Sequence, residues 1–427
     1  MIKANDSNRK SWIPVPKGSD FPIQNIPFGV FKKSNKQTCI GTRIGDLAID
    51  LNTLYRLNYF EDIPLKNDVF EKKNLNEFLK LKKTIWRLVR DRIAEIFDEK
   101  NRMDSLYQEQ VLHPINEIEM MMPVKVGDYT DFYSSRQHAY NVGCMFRDPN
   151  NALLPNWLHM PVAYHGRASS IIVSGTDIHR PMGQQLVGNS TQPIFGPTKL
   201  LDFELEMAFI TGQGKALGEQ INTSEAENYI FGMCIFNDWS ARDLQKWEYV
   251  PLGPFLGKNF ASSISPWIVT LDALEPFRIK GEVQAPSTLP YLKFQGRKNI
   301  DINLEVKISS NEFEPHTLTR SNYKHLYWNM SQQLAHHSIN GCNINAGDLM
   351  ASGTISGNNP ETYGSLLELT WKGTKPIKMP DGTERKFLKD HDTVHMRAHA
   401  KAKKYQIGFG ELRTKILPAK KQSFASN

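Results

Sequence analysis

The chain has 427 residues, of which 40% are hydrophobic, 23% charged and 10% aromatic. That is ample apolar material for a packed core, and it excludes disordered, collagen-like and low-complexity classes. At roughly 150 residues per domain the length predicts two or three domains, with two as the working expectation.

The formal charge is +7, and its position matters more than its size. From Met396 onward Arg397, Lys401, Lys403, Lys404, Arg413, Lys415, Lys420 and Lys421 are opposed only by Glu411, so this stretch carries the whole excess. A nucleic-acid binder spreads its charge over a docking face with aromatics interleaved. The basic run is therefore read as a solvated end, and no nucleic-acid partner is expected. Cys39, Cys144, Cys234 and Cys342 lie far apart with no CxxC pair, which argues against a disulfide framework or zinc ribbon and suits a reducing cytoplasm. The opening MIKANDSNRKSWIP has no apolar core and no apolar run is long enough for a bilayer, so neither a signal peptide nor a membrane partner is expected.

In chain order, residues 28–52 hold the short β-like pieces FGVF, TCIGTRIG and LAIDL, which suit a small barrel or roll. Residues 74–97 then turn helical, with Phe78, Leu81, Ile85, Leu88, Val89, Ile93 and Ile96 on one stripe and Asn74 or Asn76 as the cap. A boundary is expected between Pro114 and Pro123. Beyond it the segments LLDFELEMAFITG, YIFGMCIF, SPWIVTLDAL, INLEVKIS, GSLLELTW and YQIGFGEL read as strands, interrupted by helices near 240–249 and 326–337. Parallel βαβ alternation and internal repeats are absent.

The most informative strand is LLDFELEMAFI, where Asp202, Glu204 and Glu206 alternate with apolar residues. Alternation puts Glu204 and Glu206 on one face, about 7 Å apart. Adjacent carboxylates repel unless a cation sits between them, and a hard divalent metal such as calcium or magnesium is the natural guest. An amphipathic strand with solvated acids is the plainer alternative. Asp131 in GDYTDFYSSRQHAYNVG and Asp238 at the end of IFGMCIFND would bring the donors to four. After Asp238, SARD reads as a capping box of Ser240 and Asp243, and Arg242, Gln245 and Tyr249 recur on one helical face suited to an oxyanion or a carboxylate. His138, in the polar segment with Asp131 and Tyr133, is a candidate base, against the alternative of a helix-terminal histidine bonded to backbone. His336 with His337 and His395 with His399 are assigned to structure. GPFLGKN is too short for a phosphate loop, with Asn259 where a hydroxyl is needed, and GQGKALG reads as a hairpin turn, so no nucleotide site is indicated.

The segments GDYTDFYSSRQHAYNVGCMFRDPNNALLPNWLHMPVAYHGRASS, LLDFELEMAF, NDWSARDLQKWEYVPLGPFLGKNF and ASGTISG closely resemble the fumarylacetoacetate hydrolase family. The likeness runs from SWIPVPKGSDFPIQNIPFGVF near the start to YQIGFG near the end. The resemblance implies a mainly β protein: an SH3-like N-terminal barrel domain with helices over residues 1–122, and a larger catalytic domain, a mixed β-sandwich roll, over residues 123–427. It also implies a cytoplasmic homodimer with bound calcium and magnesium. The implied substrate is a small β-diketo acid, 4-fumarylacetoacetate, whose carbon–carbon bond is hydrolysed to fumarate and acetoacetate in the last step of tyrosine and phenylalanine catabolism. Acylpyruvate hydrolases and related isomerases and decarboxylases share the acidic pattern but usually lack such an N-terminal domain.

Carried over by motif, Asp131, Glu204, Glu206 and Asp238 would hold calcium, while Asp238, Lys258 and Ser262 would mark the magnesium site. The lysine would act there through its surroundings, since an ammonium cannot ligate a cation. His138 becomes the general base with Glu368 as its orienting carboxylate. Arg242, Gln245 and Lys258 would stabilise the oxyanion, and Tyr133, Arg147, Tyr164, Gln245, Tyr249 and Thr354 would position the substrate. The sequence departs from the family at KNFASS, where KSFGTT is usual. Ala261 stands in place of a glycine and Ser262 in place of a threonine.

Overall fold

The structure is a computed structural model that describes residues 2–65, 69–188 and 190–420. The Gly- and Lys-punctuated β pieces near the start become β1 (Phe28–Lys32), β2 (Thr38–Ile44) and β3 (Leu47–Asp50). They are joined by β4 (Leu112–Pro114) and β5 (Glu119–Met121) in an antiparallel sheet ordered β4-β3-β2-β1-β5.

The single helix expected over residues 74–97 is broken. Residues Asn76–Leu79 form one turn, and α1 (Lys83–Ile96) starts afresh. The break lies where the Phe78 carbonyl accepts the Trp86 indole N–H at 3.0 Å, and Asn76 is held by bonds to the backbone of Lys125 and Ala346. Neither asparagine is the cap: Leu75 holds that position without a side-chain bond, and the Asn74 side chain accepts from the Asn76 N–H in the turn before it. The expected stripe is also revised. Leu88 is exposed, whereas Arg90 is buried and donates to the Asn5 side chain and the carbonyls of Gln24 and Asn25.

Beyond residue 123 the chain supplies β6 (Tyr129–Phe132), β7 (Ala163–His165), β8 (Ile171–Val173), β9 (Leu205–Thr211), β10 (Ile230–Asp238), β11 (Ser262–Ile264), β12 (Asn303–Ser309), β13 (His316–Asn322), β14 (Leu349–Ala351), β15 (Thr393–Lys401) and β16 (Gln406–Leu417). Seven of these lie in the order β7-β6-β14-β9-β10-β11-β8 within an eight-stranded sheet. Another sheet runs β13-β12-β15-β16 and ends on Ile178–His179. The helices that matter to the site are α2 (Arg136–Phe146), α3 (Arg242–Glu248), α4 (Met330–Ser338) and α5 (Leu366–Leu369). Among the described residues no helix is long and apolar enough to cross a membrane, and all four cysteines are free.

The centre of the eight-stranded sheet is buried on both faces, which explains why β9 and β10 read as nearly continuous apolar runs. Leu205, Met207 and Phe209 pack in one core with Leu304, Val306, Met396 and Phe409 of the neighbouring sheet. On the opposite face Ala208, Ile210, Cys234 and Phe236 share a core with Phe28, Phe78, Val89 and Ile93 of the N-terminal part. Phe231 sits at the centre of that junction, its ring 5.4 Å from Phe28, 5.8 Å from Phe78 and 5.1 Å from Trp86.

Four other expectations are corrected. GSLLELTW, read as a strand, instead forms the helical turn α5, because Ser365 caps it. The basic run after Met396 is largely the β15–β16 pair, not a free end: alternate residues of β15 are buried, and Arg397 pairs with Asp20 at 3.0 Å. Lys421 lies outside the described residues. The GQGKALG stretch belongs to a long connection between antiparallel β9 and β10, not a tight hairpin. The helix expected from Leu326 begins later, at Met330, because Asn329 and Gln332 form a capping box there.

Truncating Phe231 to Ala removes the central ring of the junction between the two parts. Urea unfolding is expected to show a loss of about 3–5 kcal/mol, with little change in the slope against denaturant.

Candidate active site

Strand alternation builds the site. On β6 the face carrying Tyr129 also carries Asp131, on β9 the face of Ile210 and Ala208 carries Glu206, and on β10 the face of Cys234 and Phe236 carries Asp238. Three rows that are apolar beneath the N-terminal part thus become acidic where its cover ends. Glu204 joins them from the residue pair that links Leu201–Asp202 to β9, its backbone N–H held at 3.0 Å by the Asn237 side chain. One oxygen from each of Asp131, Glu204, Glu206 and Asp238 lies within 4.8 Å of the others, and all four residues are buried.

Two cations enter this cage. The Lys258 ammonium donates to Glu204 at 2.7 Å and also to Asp238. The Arg242 guanidinium bonds Glu204 through Nη1 at 2.7 Å and Asp202 through Nε at 3.0 Å. Ser262 and Tyr164 donate their hydroxyls to the two oxygens of Asp238, at 3.0 and 2.8 Å. Burial would raise the Glu204 carboxyl, but the charges of Lys258 and Arg242 hold it well below its ordinary value. Asp131 and Glu206 go the other way: burial, with the neighbouring carboxylates, pushes both well above theirs. One oxygen of each, Oδ1 of Asp131 and Oε1 of Glu206, has no hydrogen-bond partner. Unpartnered buried carboxylate oxygens converging with two further acids are the donor set of a hard divalent cation, so the residues fit a metal ion.

The ASGTISG loop closes the cage. Gly353 donates its N–H to Glu206 at 2.9 Å with φ of +76°, and a Cβ there would lie 2.2 Å from the Phe132 carbonyl. Only glycine meets both demands.

Beside the acids, Ser135 caps α2 by accepting the His138 N–H, which sets His138 in the first turn with its ring towards the body of the protein. Nδ1 of His138 is 2.7 Å from Oε2 of Glu368. Glu368 is saturated: Asn141, Ser356 and Ser365 all donate to it, at 2.9, 2.9 and 2.8 Å. Burial opposes its charge, but His138 and these donors outweigh burial and keep the carboxyl below its ordinary value. The histidine thus has a side-chain partner instead of the backbone bond considered from sequence. A cavity of about 300 Å³ opens onto His138, Asp131, Glu204, Arg242, Lys258 and Gln245, with Tyr133, Tyr164 and Thr354 also lining it.

A family model described as Fumarylacetoacetase N-terminal matches residues 24–123, and one described as Fumarylacetoacetate (FAA) hydrolase C-terminal matches residues 129–417. The chain belongs to the fumarylacetoacetate hydrolase family. Relatives named fumarylacetoacetase from Dictyostelium discoideum and Mus musculus are each 50% identical to it. The alignments cover 97% and 96% of this chain and 99% of each relative. Among solved structures, a fumarylacetoacetate hydrolase from psychrophilic Exiguobacterium antarcticum shares the fold at 17% identity with a TM-score of 0.52. That match covers 92% of this chain and 99% of the other.

Not every residue named from sequence reaches the cavity. Tyr249 ends α3 and is exposed, and Arg147 ends α2, where it donates to the Ala152 carbonyl at 2.7 Å. The proposed Ser240–Asp243 capping box does not form. Ser240 lies on a short strand paired with Leu201–Asp202, and Asp243 instead accepts from Thr198 and the Lys199 N–H. Ala261 is buried and lies outside the positive-φ region, so losing the family's glycine costs no backbone strain here. The sequence reading missed Asn141, Ser356, Ser365 and the role of Asp202. Ser365-Leu-Leu-Glu368 does carry the S-x-x-E capping spacing, and Asn141 stands three residues after His138, so two of these left a local signal.

The raised carboxyls make cation binding and pH interdependent. Without a cation Asp131 and Glu206 retain protons in the fold that the unfolded chain releases above about pH 4, so the stability these two groups contribute falls as pH rises from there. A cation displaces those protons and reverses the penalty. A divalent cation at a hundred times the Kd it has at pH 8 should add about 2.7 kcal/mol there, and the same concentration distinctly less near pH 5, read as the shift in Tm against a chelated sample.

Proposed function

We propose that the chain is a hydrolase that cleaves the carbon–carbon bond of 4-fumarylacetoacetate, releasing fumarate and acetoacetate. The observation that carries this reading is the buried four-carboxylate cage opening onto the same cavity as the His138–Glu368 pair. Membership of the family supports it, as do relatives of nearly equal length that bear the name fumarylacetoacetase.

Cleavage of a β-diketone has two difficulties: water is a weak nucleophile, and the departing fragment is a carbanion. Glu368, itself fully bonded, fixes the His138 ring through Nδ1 and leaves Nε2 to take a proton from water as its oxygen adds to the carbonyl carbon. The resulting oxyanion is met by Arg242, Gln245 and Lys258. Arg242 and Lys258 still have N–H groups beyond those spent on Asp202, Glu204 and Asp238. Collapse breaks the carbon–carbon bond, and the proton held on His138 passes to the enolate carbon of the departing acetoacetate. Asp131, Glu204, Glu206 and Asp238 would hold a divalent cation, which when bound supplies Lewis-acid polarisation of the dicarbonyl. Calcium is our reading for this cage, with magnesium beside Asp238, Lys258 and Ser262, where Lys258 balances charge without ligating.

Tyr133, Tyr164, Gln245 and Thr354 are placed to orient the substrate. Thr354 is suited to this because its buried hydroxyl has no protein partner. Tyr249 and Arg147, which do not line the cavity, are read as outer contacts to the substrate at its rim. The division into an SH3-like domain over residues 1–122 and a catalytic β-sandwich roll over 123–427 belongs to the same reading, as does a cytoplasmic homodimer. The exposed apolar Val250, Leu252 and Phe255 support the dimer.

Purified protein should consume fumarylacetoacetate, lose that activity on chelation and regain it with calcium or magnesium. His138→Ala should lower kcat by about 10²–10⁴-fold while bound metal stays at the wild-type level. A variant turning over at near wild-type rate would remove His138 from the role of base.

A further inference from the structure

The buried carboxylate of Asp202 lies outside the four-acid cage, and its partners come from two separate parts of the machinery. Oδ1 accepts the backbone N–H of Leu366 at 2.7 Å, and Oδ2 accepts that of Leu367 at 3.0 Å. These are the first two N–H groups of α5, the single turn that carries Glu368. Oδ2 also takes the Arg242 Nε at 3.0 Å, with Nη2 of the same guanidinium 2.9 Å away. The residue is fully buried, and the Leu201–Asp202 strand that carries it pairs with Ser240–Ala241, immediately before Arg242.

We propose that Asp202 is a positioning residue that locks the orienting carboxylate of the His138–Glu368 pair and the Arg242 guanidinium to one fixed point. This rests on the hydrolase reading given above. The physical case is a matter of alternatives open to each group. The two α5 N–H groups are helix-end donors with no intrahelical acceptor, so without Asp202 they would be buried unpaired and the turn carrying Glu368 would shift to find partners. Arg242 has a second anchor in Glu204, but Glu204 is shared with Lys258 and with the cage. An arginine held at one end only can swing, whereas one held by carboxylates at Nε and Nη1 presents its remaining N–H groups in a fixed direction. Oxyanion stabilisation depends on donors already aimed at the place where charge develops, so this fixing matters more to the transition state than to substrate binding. Asp202 supplies no oxygen to the four-acid cage, and cation binding should not depend on it.

The test compares wild type, Asp202→Asn and Asp202→Glu in fumarylacetoacetate turnover, in binding of a tetrahedral phosphinate mimic of the hydrolytic transition state, and in calcium affinity by calorimetry. Asp202→Asn keeps the shape but presents an amide N–H to one of several donors. Its kcat should fall about 10²–10³-fold with KM within threefold, phosphinate affinity should fall in step with kcat/KM, and calcium Kd should stay within threefold. Asp202→Glu keeps the charge one methylene further out and should recover at least tenfold of the lost kcat while staying below wild type. The effect of Asp202→Asn should shrink to a few-fold in an Arg242→Met background, because part of it acts through that guanidinium. Wild-type kcat in either single variant overturns the proposal, and the Asp202→Glu arm decides it if Asp202→Asn does not fold. A parallel loss of calcium affinity overturns it too, by moving the effect to the cage. If wild type itself fails to consume the substrate, the hydrolase reading falls instead.

Discussion

Everything at this site follows from holding like charges together without water. Four carboxylates share one small buried volume, and the protein supplies two cations, Lys258 and Arg242, whose bonds concentrate on Glu204 and Asp238. The compensation is uneven. Glu204 is held ionised, while Asp131 and Glu206 each retain an oxygen with nothing to bond to. A site balanced in this way is stable as protein only when protons or a cation complete it. The same imbalance gives a divalent ion its binding energy. Neutralising it fully with a third lysine would stabilise the fold and leave nothing for a ligand to do.

The N-terminal part matters to this balance without contributing a residue to the cavity lining. Its aromatic cluster covers the apolar stretch of the face on which the acids stand, and the face changes character where that cover stops. Tyr129 to Asp131, Ala208 to Glu206 and Phe236 to Asp238 are each a single step of two residues along a strand. Dry packing on one side of each step and ionic chemistry on the other means the acids sit on a rigid, well-packed sheet, and a low-dielectric floor strengthens every charge interaction above it.

Much of this is legible in the sequence. Alternation in LLDFELEMAFI is a local property of a strand and it brought Glu204 and Glu206 together, although Glu204 itself stands before β9, in the break after Leu201–Asp202. The first three N-terminal strands were legible from their β-like composition, whereas β4 and β5 fall where a domain boundary was expected. The convergence of Asp131 and Asp238 on that pair was not legible, because it depends on sheet order: β6 reaches β9 only through β14, from much later in the chain. Glu368 entered through family resemblance; Ser365 caps it locally, while the donation from Asn141 became visible only when that distant helix met it. The false steps have a common cause. The Ser240–Asp243 capping box and the unbroken 74–97 helix are both locally sound. Tertiary partners overrode them: Leu201–Asp202 pulled Ser240 into a strand, and Trp86 drew the Phe78 carbonyl out of register.

The hydrogen bond between His138 and Glu368 closes a loop of 230 residues. An arrangement so non-local forms late, since the entropy of bringing such distant segments together must be met before any contact rewards it. A nascent or partly folded chain therefore has neither the aligned imidazole nor the assembled acids, and it is chemically inert towards its substrate. Occupancy of the cation cage would thus double as a report that β14 has taken its place between β6 and β9.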